Sequence, residues 1–178
     1  MDIFFSKSNP LNAILRDDDK RTIYRIDTPF ALFNKVTTVT RSGGRGRVGD
    51  CQVMARIEWH RFSKTRFEFD GHPMVAKVFL KRRKGGREHI FQGADGRSYK
   101  WKSGSHAPSL RLNDGSKTII AEYHGRSLGF FGFRGHKPYL RIHPQGMHMR
   151  DMIVATFIFV EKKRTDRKQS AAAVAAAA

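Results

Sequence analysis

Polar and apolar residues alternate along most of this chain with a period of two, the spacing of a strand that has one face in a core and one in water. In RSYKWK, Tyr99 and Trp101 fall on one face, while Ser98, Lys100 and Lys102 take the other. The segments TIYRIDTP, KVTTVTR, CQVMARIEWHRF, KTRFEF, MVAKVFLKRR, SLRL, KTIIAEYH and YLRIHP read as further strands. Asp-Gly pairs beginning at Asp70, Asp95 and Asp114 separate such runs and predict hairpins. LNAILRDDDKR reads as one short turn of helix, after which the strand pattern resumes at Thr22. Many short strands with no helical repeat before residue 145 predict an antiparallel sandwich or barrel.

One stretch breaks the alternation. DMIVATFIFVEKKR has no polar face between Met152 and Val160, and it is far shorter than the roughly 20 apolar residues that cross a bilayer. Its Ile, Val and Phe suit a strand by propensity. A helix that is apolar all round is equally physical if it is buried all round, and the ends favour it. Asp151 stands where a first-turn acid belongs; Lys162, Lys163 and Arg164 stand where a helix C-terminus attracts cations. The expected helix therefore runs from Asp151 to about Arg164. The domain is expected to span residues 1–165, with a basic and then alanine-rich tail, 166–178, disordered, of which Gln169 to Ala178 should be dispensable.

Composition adds a charge of +18 over 178 residues, which favours polyanionic partners and leaves the fold open. A single cysteine, Cys51, excludes an intrachain disulfide and cysteine-rich zinc sites, and its strand context implies a buried or half-buried thiol. The N-terminal MDIFFSKSNP lacks the basic-then-apolar order of a secretory signal, so the expected location is the cytoplasm, a membrane surface or the nucleus. Catalytic chemistry is hard to find. His143 and His148 are split by Pro144 and Gly146, which suits a turn better than a metal-binding helix face. Asp17, Asp18 and Asp19 read as a charged loop, and no serine has the context of a nucleophile elbow. No cofactor and no enzyme activity are expected.

The order FSKSNPLN, YRIDTP, TTVTR, ARIEWH, DGRSYKWK, IAEYH and LRIHPQGMHMRDMIVATFIFVEKKR resembles a fungal family, abundant in basidiomycetes, that is known as a domain of unknown function. More distantly, the chain resembles the tubby, phospholipid scramblase and LURP-one group. That resemblance implies a mainly β fold, an antiparallel barrel of about twelve strands closed around a C-terminal hydrophobic helix. Because tubby domains bind phosphoinositides, it also implies a membrane-docking role.

The candidate ligand-binding residues are cationic. KRRKGGR supplies Lys81, Arg82, Arg83, Lys84 and Arg87, a cluster able to hold an anionic head group or phosphate. The loop RSGGRGRVG supplies Arg41, Arg45 and Arg47, although it lacks the Gly-Lys-Ser/Thr ending of a nucleotide phosphate loop. A second run, EKKRTDRK, is expected to fray into the tail. These features lead to a non-catalytic module docking on anionic membrane lipid. Nucleic acid and an acidic protein are the alternative partners.

Overall fold

A computed structural model of the chain describes every residue except 33, 44–50, 61–63, 105–106, 128–134 and 178. The first strands are β1 (Asp2–Phe5), β2 (Ala13–Arg16), β3 (Thr22–Asp27), β4 (Lys35–Arg41) and β5 (Gln52–Trp59). The hairpin of β6 (Arg66–Phe69) and β7 (His72–Val75) follows, then a single turn of helix, α1 (Ala76–Phe79). The chain continues through β8 (Lys81–Arg83), β9 (Glu88–Gln92), β10 (Ser98–Lys102), β11 (Ser109–Leu112), β12 (Ile119–His124) and β13 (Tyr139–Ile142). A 3-10 turn over Pro144–Met149 leads into the long helix α2 (Arg150–Ala176).

All thirteen strands form one antiparallel sheet in the order β7-β6-β5-β4-β3-β2-β1-β13-β12-β11-β10-β9-β8. The expected Asp-Gly hairpins are present, and Gly71, Gly96 and Gly115 occupy the left-handed region that such turns require. The expected barrel does not close, because no ladder joins β7 to β8. The segment MVAKVFLKRR, read as one strand, breaks into β7, α1 and β8, and α1 stands between the two sheet edges. Phe79 of α1 bridges them with its ring, 5.3 Å from Phe67 of β6 and 5.7 Å from Phe91 of β9 between centroids. Aromatic packing replaces hydrogen bonding at this seam.

The sheet curls around α2, as the contacts of two helix residues show. The ring of Phe157 meets Phe5 of β1, Trp101 of β10 and Tyr123 of β12. Phe159 meets Trp59 of β5, Phe67 of β6 and His89 of β9. Every residue from Ile153 to Glu161 is buried. Each fully buried Val, Ile or Phe contributes roughly 1.5–3 kcal/mol, so this stretch holds the sheet in its curl. Its one hydroxyl is satisfied: Thr156 Oγ1 donates to the Met152 carbonyl at 2.7 Å and accepts from Trp101 Nε1 at 3.0 Å.

Three further expectations change. Within LNAILR, Ala13–Arg16 form strand β2 rather than helix, its register to β3 placing Ala13 and Leu15 in the core. Cys51 precedes β5 and is exposed, so the half-buried thiol is not found. The helix passes Arg164 and carries the tail to Ala176, with residues 168–177 exposed. Once a helix is anchored, adding residues is inexpensive, and alanine extends it well.

Candidate functional site

The cluster KRRKGGR, expected as a loop at the end of a strand, begins instead as strand β8 and is divided by strand geometry. Within β8 successive side chains point to opposite faces, so Lys81 and Arg83 share one face and Arg82 takes the other. Arg82 lies opposite His89 of β9, and His89 lies opposite Trp101 of β10. Trp101 is fully buried against α2, which identifies this as the inner face. Arg82 therefore turns toward the helix. After Arg83 the chain makes a left-handed turn, with φ of 48° at Lys84, 64° at Gly85 and 83° at Gly86, closed by Arg87 N–H donating to the Lys84 carbonyl at 3.2 Å.

The second basic run, assigned to a fraying tail, belongs to this same surface. Lys163 and Arg167 are one helical turn apart on α2 and so share a face. Burial, and then the neighbouring cations Arg82, Arg87 and Arg164, lower the pKa of Arg167. Burial also lowers that of Lys163, aided by Lys162 and Arg82 against the opposing pull of Asp166. These mutual influences bring β8, the turn after it and α2 together. Few acids temper the cluster: Glu88 lies 3.5 Å from Lys84, Asp166 binds Lys162, and Glu161 grips Arg164 with two bonds of 2.6 and 2.7 Å. Among the described residues, Arg82, Arg83, Arg87 and Arg167 have no carboxylate within ion-pair distance.

The end of the molecule from which α2 emerges also carries exposed apolar groups. Trp59, at the end of β5, stacks on Phe159 at 5.5 Å and lies 5.6 Å beneath both Lys162 Nζ and Lys163 Nζ. Lys35, the first residue of β4, pairs with Trp59, and the connection from β3 into β4 presents Phe30 and Leu32 at 84% and 83% exposure. A cavity of about 460 Å³ at the ends of β1 and β13 adds Lys7, Arg126, His136 and Lys137.

The Gly-Arg loop contributes differently. Arg41 donates to Asp151 Oδ2 at 2.6 Å and to Gln52 Oε1 at 2.8 Å, at the opposite end of α2 from the basic seam. Tyr24 donates to the other oxygen of Asp151 and accepts from Arg150 Nε at 2.8 Å. Burial, and then its bond to Asp151, push the Tyr24 hydroxyl pKa well up. Arg41 is thus part of the network that locks the start of α2 to the sheet. Arg45 and Arg47 lie outside the described residues. The two histidines weighed for metal binding face separate carboxylates, His143 with Glu122 at 3.4 Å and His148 with Asp95 at 3.2 Å. Among the described residues, no helix is long and apolar enough to cross a membrane.

Sequence reasoning missed Lys163, Arg167 and His89. The four-residue spacing of Lys163 and Arg167 was a usable signal once the helix was allowed to continue past Arg164. His89 carries no local signal, since its place at the seam depends on the strand pairing of β8 with β9.

No curated protein matches the chain. Among solved structures, the X-ray structure of a protein from Arabidopsis thaliana is similar at a TM-score of 0.36 and 11% identity, over 90% of this chain and 89% of that one. Over residues 8–166 the chain matches the family of unknown function DUF6593, and it belongs to that family.

Proposed function

We propose that this protein is a non-catalytic module that docks on anionic membrane lipid with the end from which α2 emerges. The observation that carries this reading is the meeting of Arg82, Arg87, Lys163 and Arg167 at one seam, where none of the three arginines has a carboxylate within ion-pair distance. Each such cation near an anionic bilayer contributes roughly 1 kcal/mol, so a handful holds a protein reversibly. Exposed Phe30 and Leu32 at the same end favour lipid over other polyanions, because they can enter the interfacial layer while the cations meet head groups. The tubby-like resemblance agrees with this role, and a sheet curled on one buried helix is compatible with it. A nucleic-acid platform has less support, since Tyr99 and Trp101, the rings that alternate with lysines, are buried. A cytoplasmic protein that visits the membrane surface is the location this reading implies.

Cosedimentation with neutral, phosphatidylserine and phosphoinositide vesicles at near-physiological salt tests the proposal, with duplex and single-stranded DNA and RNA run in parallel. Binding to the anionic vesicles, lost when Arg82, Arg87, Lys163 and Arg167 are neutralised together and weakened in a Phe30→Ser, Leu32→Ser variant, is the expected result. Retention on nucleic acid without vesicle binding would replace lipid by its rival.

A further inference from the structure

The seam between β8 and α2 contains a polar atom that general charge attraction leaves unexplained. Nδ1 of His89 is buried without a hydrogen-bond partner, and the residue is only 2% exposed. Buried polar groups are paired in the great majority of cases; Arg111 Nε and His124 Nε2 are orphaned too, but of the three only His89 pairs across the sheet with Arg82, a cation that has no acid of its own. Its surroundings are cationic on the solvent side and apolar beneath. Arg82 faces it across the β8–β9 pair, and the ring of Phe159 stands edge-on at 5.8 Å.

Two arginines close over the turn beside this imidazole. A Cβ on Gly86 would lie 3.1 Å from Arg167 Nη1 and 3.1 Å from Arg82 Cδ, and φ of +83° already disfavours any other residue there. Gly86 thus leaves the space that both side chains use. Arg167 is held in place by Nη2, which donates to the Ser103 carbonyl at 2.8 Å and to Ser103 Oγ at 3.1 Å. Its Nη1 has no partner among the described residues, and neither has the Arg82 guanidinium.

We propose that Arg82, Arg87, Arg167 and His89 form a seat for one phosphomonoester group, reached from the docking surface. The proposal rests on the anionic-surface reading and names the chemistry its deepest point selects. Guanidinium forks match phosphate oxygens two at a time. A monoester carries about −1.5 to −2 charges at neutral pH, which several unpaired cations accommodate better than the single charge of a diester. His89 completes the seat with a neutral donor, because burial and then Arg167, Arg82 and Lys163 hold its pKa down at about 4. The phosphate is either free or part of a lipid head group, and the two sources are separable by experiment.

The first arm titrates the full-length protein with inorganic phosphate by calorimetry at pH 7, with chloride as the counter-anion. The expected result is saturable binding at one site. Arg82→Gln, an exposed change, should weaken it at least tenfold; Lys81→Gln, on the other face of β8, should leave it within twofold. His89→Asn, whose amide can stand in for the Nδ1 donor, should retain binding that His89→Leu loses. Equal affinity in the wild type and Arg82→Gln, or no saturable phosphate binding, would overturn the seat. The second arm uses vesicles matched in total charge, containing either phosphatidylserine or a phosphoinositide with ring monoesters. Preference for the latter, competed by free phosphate, places the seat's ligand on a lipid. Indifference between them with no phosphate site leaves charge-driven docking intact while overturning the seat. A phosphate site without any vesicle binding supports the seat for a free ligand and overturns the docking surface.

Discussion

At the scale of single residues, His89 couples the proposed seat to stability. Burial in the core, followed by the cations Arg167, Arg82 and Lys163, lowers its pKa from 6.5 to about 4. Between those values the unfolded chain binds a proton that the folded protein refuses, so this group's contribution is complete above 6.5 and lost as the pH falls toward 4. A difference of roughly 2.5 units corresponds to about 3 kcal/mol. Denaturant unfolding at pH 7 and pH 4 should therefore show that His89→Leu loses about 3 kcal/mol less than the wild type on acidification. Parallel losses in the two proteins would mean that the imidazole is not held neutral by the fold. Nothing local in EHIFQ announces this behaviour. It arises from β8 pairing and from a helix distant in sequence, whereas the inward faces of Tyr99 and Trp101 were legible from alternation alone.

Among the elements, α2 shows why some of the fold can be read in the sequence and some cannot. Met152 to Val160 lacks a polar face, and the only way to bury every side of a helix is to surround it, so the core helix was legible. Its length was not, because the charges after Glu161 look like a stop signal although they lie along a continuing helix face. The short strand β1 was passed over because its four residues, DIFF, show no alternation of polar and apolar positions. The single turn α1 was hidden inside an apolar run that also suits a strand. Two predictions belong to this element. Ile158 is fully buried, so Ile158→Asp places a charge in a dry core and should cost several kcal/mol, comparable with the whole stability of a domain. Circular dichroism on heating should show an unfolded or barely cooperative protein; a melting curve close to wild type would sink the enclosed-helix account. Conversely, residues 169–177 are exposed along α2, and removing 169–178 should shift the melting temperature by no more than about 2 °C, the effect of surface changes that contribute within roughly 0.5 kcal/mol. A larger fall would show that the helical extension supports the sheet.

For the whole molecule, the open seam and the surplus charge meet in one place. The sheet is left unpaired between β7 and β8, α1 fills the gap with an aromatic bridge, and the strand beyond it bears Lys81, Arg82 and Arg83. Charged residues on a short edge strand discourage pairing with another chain, so this edge is protected by cations of which one, Arg82, is also proposed to bind lipid. The arrangement has an electrostatic cost, because a net charge of +18 repels itself and the cations at the seam sense one another through reduced solvent. Salt should relieve that repulsion. Raising sodium chloride from about 10 to 150 mM shortens the screening length from roughly 30 to 8 Å, which weakens distant repulsion more than the close ion pairs, such as Arg164 with Glu161 and Arg141 with Asp2. The melting temperature should rise across that range. The rise should be smaller in a protein with Arg82, Arg87, Lys163 and Arg167 neutralised, since these cations crowd one another at the seam. A melting temperature that falls with salt in both proteins would show that attractive pairs, rather than the crowded cations, dominate the surface field, and it would remove the electrostatic reason for expecting an anion at the seam.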